Sequence, residues 1–252
     1  MLWKLIWVRE RELSMDYVLQ TSEVEGGYDR VKVLNGIDLY VSKGEFVTII
    51  GPNGCGKSTF LKVLFGLATH YSGEITYEGQ NVSGWRTDEL VNLGISYVPQ
   101  VENVFPSLSV AENLQMGGIN LNAAKTRNGI DRAIAMFPEL GSRMNDVAAS
   151  LSGGERQMLA ISRALMSEPS FIMLDEPTAA LSPRYQQQII KNINELRSQG
   201  ISILLVEQNA RLSLEQSDRG YVFAGGRVVY TGGARSILEN PDLGNYFLGV
   251  QD

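Results

Sequence analysis

The sequence predicts an α/β fold, in which a mainly parallel sheet is covered by helices on both faces and carries an inserted helical lobe. Three observations point to it. Short apolar strands alternate with helix-length segments along most of the chain. A Gly-rich run, Gly51-Pro52-Asn53-Gly54-Cys55-Gly56-Lys57-Ser58, stands between one such strand and one such helix. Between Val101 and Ala149 the strand signals fade and helical patterning takes over.

The elements follow in order. Tyr17 to Val24 and Val31 to Val41 alternate apolar and polar residues, as half-buried strands do. Glu25-Gly26-Gly27 and Ser42 to Glu45 read as turns. Phe46 to Ile50 is a buried strand, and Thr59 to Leu67 is the helix beyond the Gly-rich run. Ser72-Gly73 opens a strand over Glu74 to Tyr77, and Ile95 to Val98 forms another, stopped at Pro99. Ser109 to Met116 and Ala123 to Phe137 supply helices of the lobe. Alternation then resumes: helix Gly153 to Met166, strand Ser170 to Leu174, helix Gln186 to Ser198 closed by Gly200, and strand Ile201 to Val206. No internal repeat or low-complexity tract interrupts this pattern.

Composition narrows the chemistry. Of 252 residues, 22 are Lys or Arg and 28 are Asp or Glu, so the net charge is −6, which argues against generic nucleic-acid binding. Hydrophobic residues make up 44%, which argues against disorder. A single Cys (Cys55) excludes an intrachain disulfide framework and Cys-based zinc sites. A single His (His70) makes His-rich metal sites and Ser-His-Asp triads poor starting points. The longest apolar stretches are strand-sized, well short of the roughly 20 residues that span a bilayer. The apolar run at the N-terminus is broken by Lys4 and followed by Arg9 to Glu12 without a cleavage site, so no secretory signal is expected. Residues 1–14 read as an extension ahead of Met15. The alternative reading of Trp3 and Trp7 is a short amphipathic segment touching a partner or membrane surface.

Phosphate chemistry is what remains. The Gly-rich run fits the phosphate-loop pattern G-x-x-x-x-G-K-[ST]. Its glycines let backbone N–H groups turn toward phosphate oxygens, and the following helix adds the positive end of its dipole. Lys57 supplies a charge for the β and γ phosphates, and Ser58 offers a hydroxyl to Mg²⁺. The strand Phe171 to Leu174 ends in Asp175-Glu176, where Asp175 suits Mg²⁺ and Glu176 suits a general base that polarises water. Leu151-Ser152-Gly153-Gly154-Glu155 is a capping box. It also presents a hydroxyl and two glycine N–H groups at a helix start, a second anion-binding surface.

Taken together, GPNGCGKS, FIMLDEP and LSGGE resemble the motif set of ABC-type ATPases, in the family's order, over essentially Met15 to the C-terminus. The resemblance implies a P-loop NTPase with a RecA-like, mainly parallel core, an N-terminal antiparallel β region and the helical lobe. It places the ATPase domain at 15–252, with its core at 15–100 and 150–252 and the lobe at 101–149. It also implies a dimer in which Ser152, Gly153 and Gly154 of one chain face the phosphate loop of another, sandwiching two ATP molecules. By the same resemblance Tyr28 stacks on adenine. The loop residues Gly51, Pro52, Asn53, Gly54, Cys55, Gly56, Lys57, Ser58 and Thr59 hold the phosphates. Gln100 reaches Mg²⁺ and the attacking water. The metal set is then Ser58, Gln100 and Asp175, and the catalytic set Glu176, Gln208 and Lys57.

Two positions depart from the family pattern. Gln208 stands where His is usual; it can donate to a γ-phosphate oxygen but cannot become cationic. Ser182 stands where Asp usually ends the loop after Glu176. Val206-Glu207-Gln208-Asn209-Ala210, the stretch Leu151 to Leu165, and Tyr97 to Gln100 with Val104 to Leu114 resemble one of the two ATPase subunits of branched-chain amino-acid importers, with urea- and amide-importer ATPases close by. Asn240-Pro241-Asp242 and Tyr246 to Gly249 are like the tail of these subunits, and no long regulatory extension is expected. The expected partners are a second copy or a paralogous ATPase, integral-membrane permeases, and indirectly an external solute-binding protein, with no nucleic acid. The expected place is the cytoplasmic face of the membrane. A compact exporter ATPase is the alternative. DNA-repair or translation ATPases of the family usually carry a long coiled-coil insertion or a second cassette, and neither fits between Ser58 and Leu151.

Overall fold

The computed structural model describes residues 16–240. Tyr17–Tyr28 (β1) and Val31–Ser42 (β2) precede the strand Phe46–Ile50 (β3) and the helix Lys57–Leu64 (α1). Thr69–Tyr77 (β4) and Gln80–Asn81 (β5) return to the first pair, and Thr87–Asn92 (α2) leads to Ile95–Val98 (β6). Three helices follow in succession: Val110–Gly117 (α3), Ala123–Met136 (α4) and the single turn Pro138–Gly141 (α5). Gly153–Leu165 (α6), Phe171–Asp175 (β7), Pro183–Ser198 (α7) and Ser202–Val206 (β8) restore the alternation. Ala210–Leu214 (α8), Arg219–Ala224 (β9), Arg227–Gly233 (β10) and Ala234–Leu238 (α9) complete the described chain.

Two sheets result. One is antiparallel, in the order β2-β1-β4-β5. The other runs β10-β9-β3-β8-β7-β6. In it β9, β3, β8, β7 and β6 are parallel, and only the edge strand β10 is antiparallel. Every residue of β3, β7 and β8 is buried, because a parallel sheet carries its crossovers on both faces.

Strand periodicity sorts most of these buried residues into two cores, while Ile50 joins a third, smaller cluster with Leu214, Val222 and Ile237. Side chains alternate across a strand, so Phe171, Met173, Leu204 and Val206 point to one face with Val47 and Ile49. There they meet Phe60 and Leu61 of α1 and the apolar face of the antiparallel sheet, Leu34, Ile37 and Leu39 among them. Ile172, Leu174, Ile203 and Leu205 point the other way with Phe46. They meet Leu159 and Ile161 of α6, Ile189 and Ile193 of α7, and Leu114 and Phe137 from the helical segment.

Most predicted elements are present, and the differences have local causes. Glu25-Gly26-Gly27 is not a turn: β1 runs through it to Tyr28, with register shifts on both sides. Glycine pairs serve bulges as well as turns, and here strands on both sides hold the backbone extended. β4 begins at Thr69, before Ser72-Gly73. Its first half is exposed or half-buried and so lacks an apolar alternation. α1 starts at Lys57 and ends at Leu64, earlier at both ends than predicted, and α7 starts at Pro183, whose fixed φ suits a first helical turn. The β9–β10 hairpin has no counterpart among the predicted elements. Gly225 and Gly226 make its two-residue turn at φ 55 and 73, left-handed values that this turn requires and glycine permits. Residues 1–14 and the tail beyond Asn240 lie outside the described residues.

Candidate active site

β3 delivers the phosphate loop to the carboxyl end of the parallel sheet, where open α/β folds place their ligands. Gly51, at φ 152, passes so close to β9 that a Cβ would stand 2.3 Å from the Phe223 carbonyl oxygen. Gly56 caps α1 at φ 106, so Lys57 and Ser58 open the helix with their N–H groups unobstructed. Lys57 is buried, and its ammonium donates to the carbonyls of Gly51 at 2.8 Å and Pro52 at 3.2 Å. The Cys55 thiol is buried behind the loop, which pushes it above its ordinary pKa.

The neighbouring parallel strands supply the acidic side. Ser58 Oγ donates to Asp175 Oδ1 at 2.8 Å, and the Tyr97 hydroxyl donates to Oδ2 at 3.1 Å. Burial holds Asp175 above the usual carboxylate range, with the Ser58 and Tyr97 hydrogen bonds and the lysines Lys62 and Lys57 opposing it. Glu176 follows in the left-handed region at φ 47, a conformation that costs a non-glycine residue and marks functional loops. Two carboxamides converge on its Oε2: Gln100 Nε2 at 2.7 Å and Gln208 Nε2 at 2.7 Å. Burial raises the Glu176 pKa against the Lys57 charge and the Gln208 hydrogen bond.

Asn53, Gly54, Gly56, Lys57, Ser58, Thr59, Gln100, Glu176 and Gln208 line one cleft of about 340 Å³. The oxygens of Ser58 and Asp175 are a donor set suited to a hard divalent cation. Gln100, which lines the same cleft, donates to Glu176. Among the described residues no cluster of three or more His, Cys, Asp or Glu forms a metal cage. An ion at Ser58 and Asp175 therefore needs other ligands, such as phosphate oxygens and water. Tyr28 does not line the cleft; it stands 41% exposed at the end of β1, with the Lys62 ammonium 5.9 Å from its ring centroid.

Ser152, Gly153 and Gly154 also lie outside the cleft. Ser152 Oγ accepts from the Glu155 N–H at 3.3 Å, and Glu155 Oε2 accepts from the Ser152 N–H at 2.8 Å, the full capping box. Gly154 is needed for packing, since a Cβ there would meet the Tyr185 ring of α7 at 2.7 Å. Ser152 and Gly153 remain exposed, as does Ser182. Tyr97 and Glu207 are the polar site residues that sequence reasoning missed. Both sit at or next to the carboxyl end of an apolar strand of the parallel sheet, and that position was the available signal.

A phosphate loop, an Asp175–Ser58 pair and a buried Glu176 at the carboxyl ends of parallel strands define a P-loop nucleotide hydrolase. The chain belongs to the ABC transporter family, whose profile matches residues 34–179, and within it is an ATP-binding, ATP-hydrolysing cassette. It is 40% identical over 236 residues to the probable branched-chain amino acid transport ATP-binding protein LivF of Archaeoglobus fulgidus, covering 93% of this chain and 100% of that protein. It is 40% identical over 232 residues to the high-affinity branched-chain amino acid transport ATP-binding protein BraG of Pseudomonas aeruginosa, covering 92% and 100%. The fold superimposes on a nucleotide-free ATP-binding cassette from an ABC transporter with a TM-score of 0.83, at 26% identity over 92% of this chain and 99% of that one. It also superimposes on a dimeric ATP-binding cassette in a post-hydrolysis state with ADP and phosphate, with a TM-score of 0.78, at 26% identity over 86% and 99%. None of the described helices is long and apolar enough to cross a membrane.

Proposed function

We infer that this cassette drives a branched-chain amino-acid importer from the cytoplasmic face of the membrane, as a homodimer or paired with a paralogous ATPase. The 40% identity to two proteins named for branched-chain amino-acid transport supports the solute class. The convergence of Gln100 and Gln208 on one oxygen of Glu176, beside the phosphate loop, carries the mechanism. Lys57 and the loop N–H groups bind the β and γ phosphates. Ser58 and Asp175 would hold Mg²⁺, which would offset phosphate charge. Glu176 takes a proton from the water whose oxygen bonds to the γ-phosphorus, while the bond from that phosphorus to the ADP oxygen breaks and ADP leaves. Gln100 and Gln208 hold the carboxylate toward that water. Tyr28 stacks on adenine. Ser152 and its glycines complete the site of the opposite chain, and the segment 101–149 receives the permeases. The transported solute never touches this chain; it passes from an external binding protein through the permeases.

Vesicles reconstituted with the chain, permeases of a branched-chain amino-acid importer and their binding protein test this reading. ATP inside should drive uptake of leucine. Glu176→Gln should keep MgATP binding while lowering turnover by about 10²–10⁴, because the shape remains and the base is gone. Turnover within threefold of wild type overturns the base assignment. Uptake of urea or an amide, with none of leucine, overturns the solute class.

A further inference from the structure

Glu207, directly after β8, is a buried carboxyl with no lysine or arginine paired to it among the described residues. It is 2% exposed. Its Oε1 accepts from the Thr178 N–H at 2.9 Å, and its Oε2 accepts from the Gln208 N–H at 3.2 Å. Thr178 is itself buried, in the loop that joins Glu176 to the exposed Ser182. The backbone on either side is pinned as well: the Glu207 N–H donates to the Ile49 carbonyl at 3.2 Å, and the Glu176 N–H donates to the Val206 carbonyl at 2.8 Å. A buried carboxyl without a cation is costly, and packing alone is served better by an apolar side chain. A glutamate side chain offers one acceptor oxygen to each of these two N–H groups.

We propose that Glu207 is a positioning residue for ATP hydrolysis, its two oxygens clamping the loop at Thr178 and the backbone of Gln208 so that the Gln208 carboxamide stays on Glu176. This rests on the reading of Glu176 as the base. The loop after Glu176 and the Gln208 position then share one anchor, so a displacement of either is felt by the other. Lys57 and Asp175 keep their own contacts, so nucleotide binding is outside the clamp's reach.

A double-mutant cycle on the full chain tests it, with steady-state hydrolysis of MgATP and thermal melting measured for each variant. Glu207→Gln keeps one acceptor and turns an N–H donor toward the other N–H. It should lower kcat by about fivefold or more with KM for ATP within about twofold. In a Gln208→Ala background the same change should lower kcat by less than about twofold, because the group it positions is gone. Losses that multiply in the double variant overturn the proposal, as does wild-type kcat in Glu207→Gln while Glu176→Gln is inactive. Wild-type turnover in Glu176→Gln instead brings down the base reading and the proposal together. If Glu207→Gln does not fold, Glu207→Asp, with both acceptors on a shorter stem, takes its place in the cycle with the same criteria.

Discussion

Glu207 and Glu176 lie within one hydrogen-bonded cluster, and burial pushes both carboxyls above their ordinary values. For Glu207 the shift reaches about 7 from 4.5; the N–H groups of Thr178 and Gln208 oppose it, and the neighbouring Glu176 carboxylate adds to it. The sign for stability follows. Between these values the folded state holds a proton that the unfolded state has released, so stability falls as pH rises through this window. The full difference is about 3 kcal/mol, present below the unfolded value and lost by pH 7. Urea unfolding of the nucleotide-free chain at steps from pH 5 to 7 should therefore show a stability loss that Glu207→Gln flattens. Equal slopes for both proteins would place the Glu207 charge elsewhere. Glu176 shifts the same way by direction, so its basic form is lost on acidification sooner than that of a solvated glutamate.

α3 shows how a short element is fixed in place. Ser109 and Glu112 form a second capping box, and the fully buried Asn113 ties down the loop before it. Asn113 Oδ1 accepts from the Phe105 N–H at 2.8 Å, while its Nδ2 donates to the carbonyls of Phe105 at 3.0 Å and Ser109 at 2.9 Å. That loop follows Gln100 directly and carries Phe105, 42% exposed with the Arg163 guanidinium 4.9 Å from its ring centroid, and the half-buried Leu108. Asn103 Nδ2 also donates to Gln157 Oε1 on α6 at 2.9 Å, so the segment after Gln100 touches the helix that Ser152 begins. Replacing Phe105 and Leu108 together with Asp should uncouple leucine uptake from hydrolysis in reconstituted vesicles, with the ATPase rate of the isolated chain kept within about twofold, because exposed apolar anchors carry most of a contact's energy. Normal uptake by this variant would put the permease contact on another surface.

At the scale of the molecule, the phosphate loop and the helix start at Ser152 do not share a cleft. Arg219 of β9 helps fasten the two sheets: it pairs with Glu45 at 2.8 and 2.9 Å and lies 3.8 Å from the Tyr40 ring centroid of β2. Ser152 begins a helix outside the cleft that holds Lys57 and Glu176. On the proposed reading, Ser152 serves the site of the opposite chain, so each site needs two chains. Lys57→Ala and Ser152→Arg chains, each inactive alone, should recover measurable hydrolysis when mixed, because one of the two composite sites then has both good halves. Crosslinking between position 152 and the phosphate loop should accompany the recovery. Mixed dimers without hydrolysis or crosslink would contradict the sandwich.

Local chemistry was legible in the residues themselves. Gly51 to Ser58, Asp175-Glu176 and Ser152 to Glu155 each combine a special backbone need with a charge, and such needs leave marks in sequence. The buried strands were legible too, since their apolar runs have no solvated face to disguise them. The edge was harder to read. β4 is half exposed, β1 takes its glycines as bulges, and the Gly225-Gly226 hairpin was overlooked although its turn residues are diagnostic. Only the tertiary structure decided which side chains share an oxygen. Gln100, Glu176 and Gln208 lie 76 and 32 residues apart in the chain and meet because parallel pairing sets β6, β7 and β8 side by side, ending at one edge. The clamp at Glu207 is of the same kind: burial and two N–H partners 29 and 1 residues away make it a site, and its place after an apolar strand marks the position but not the partners.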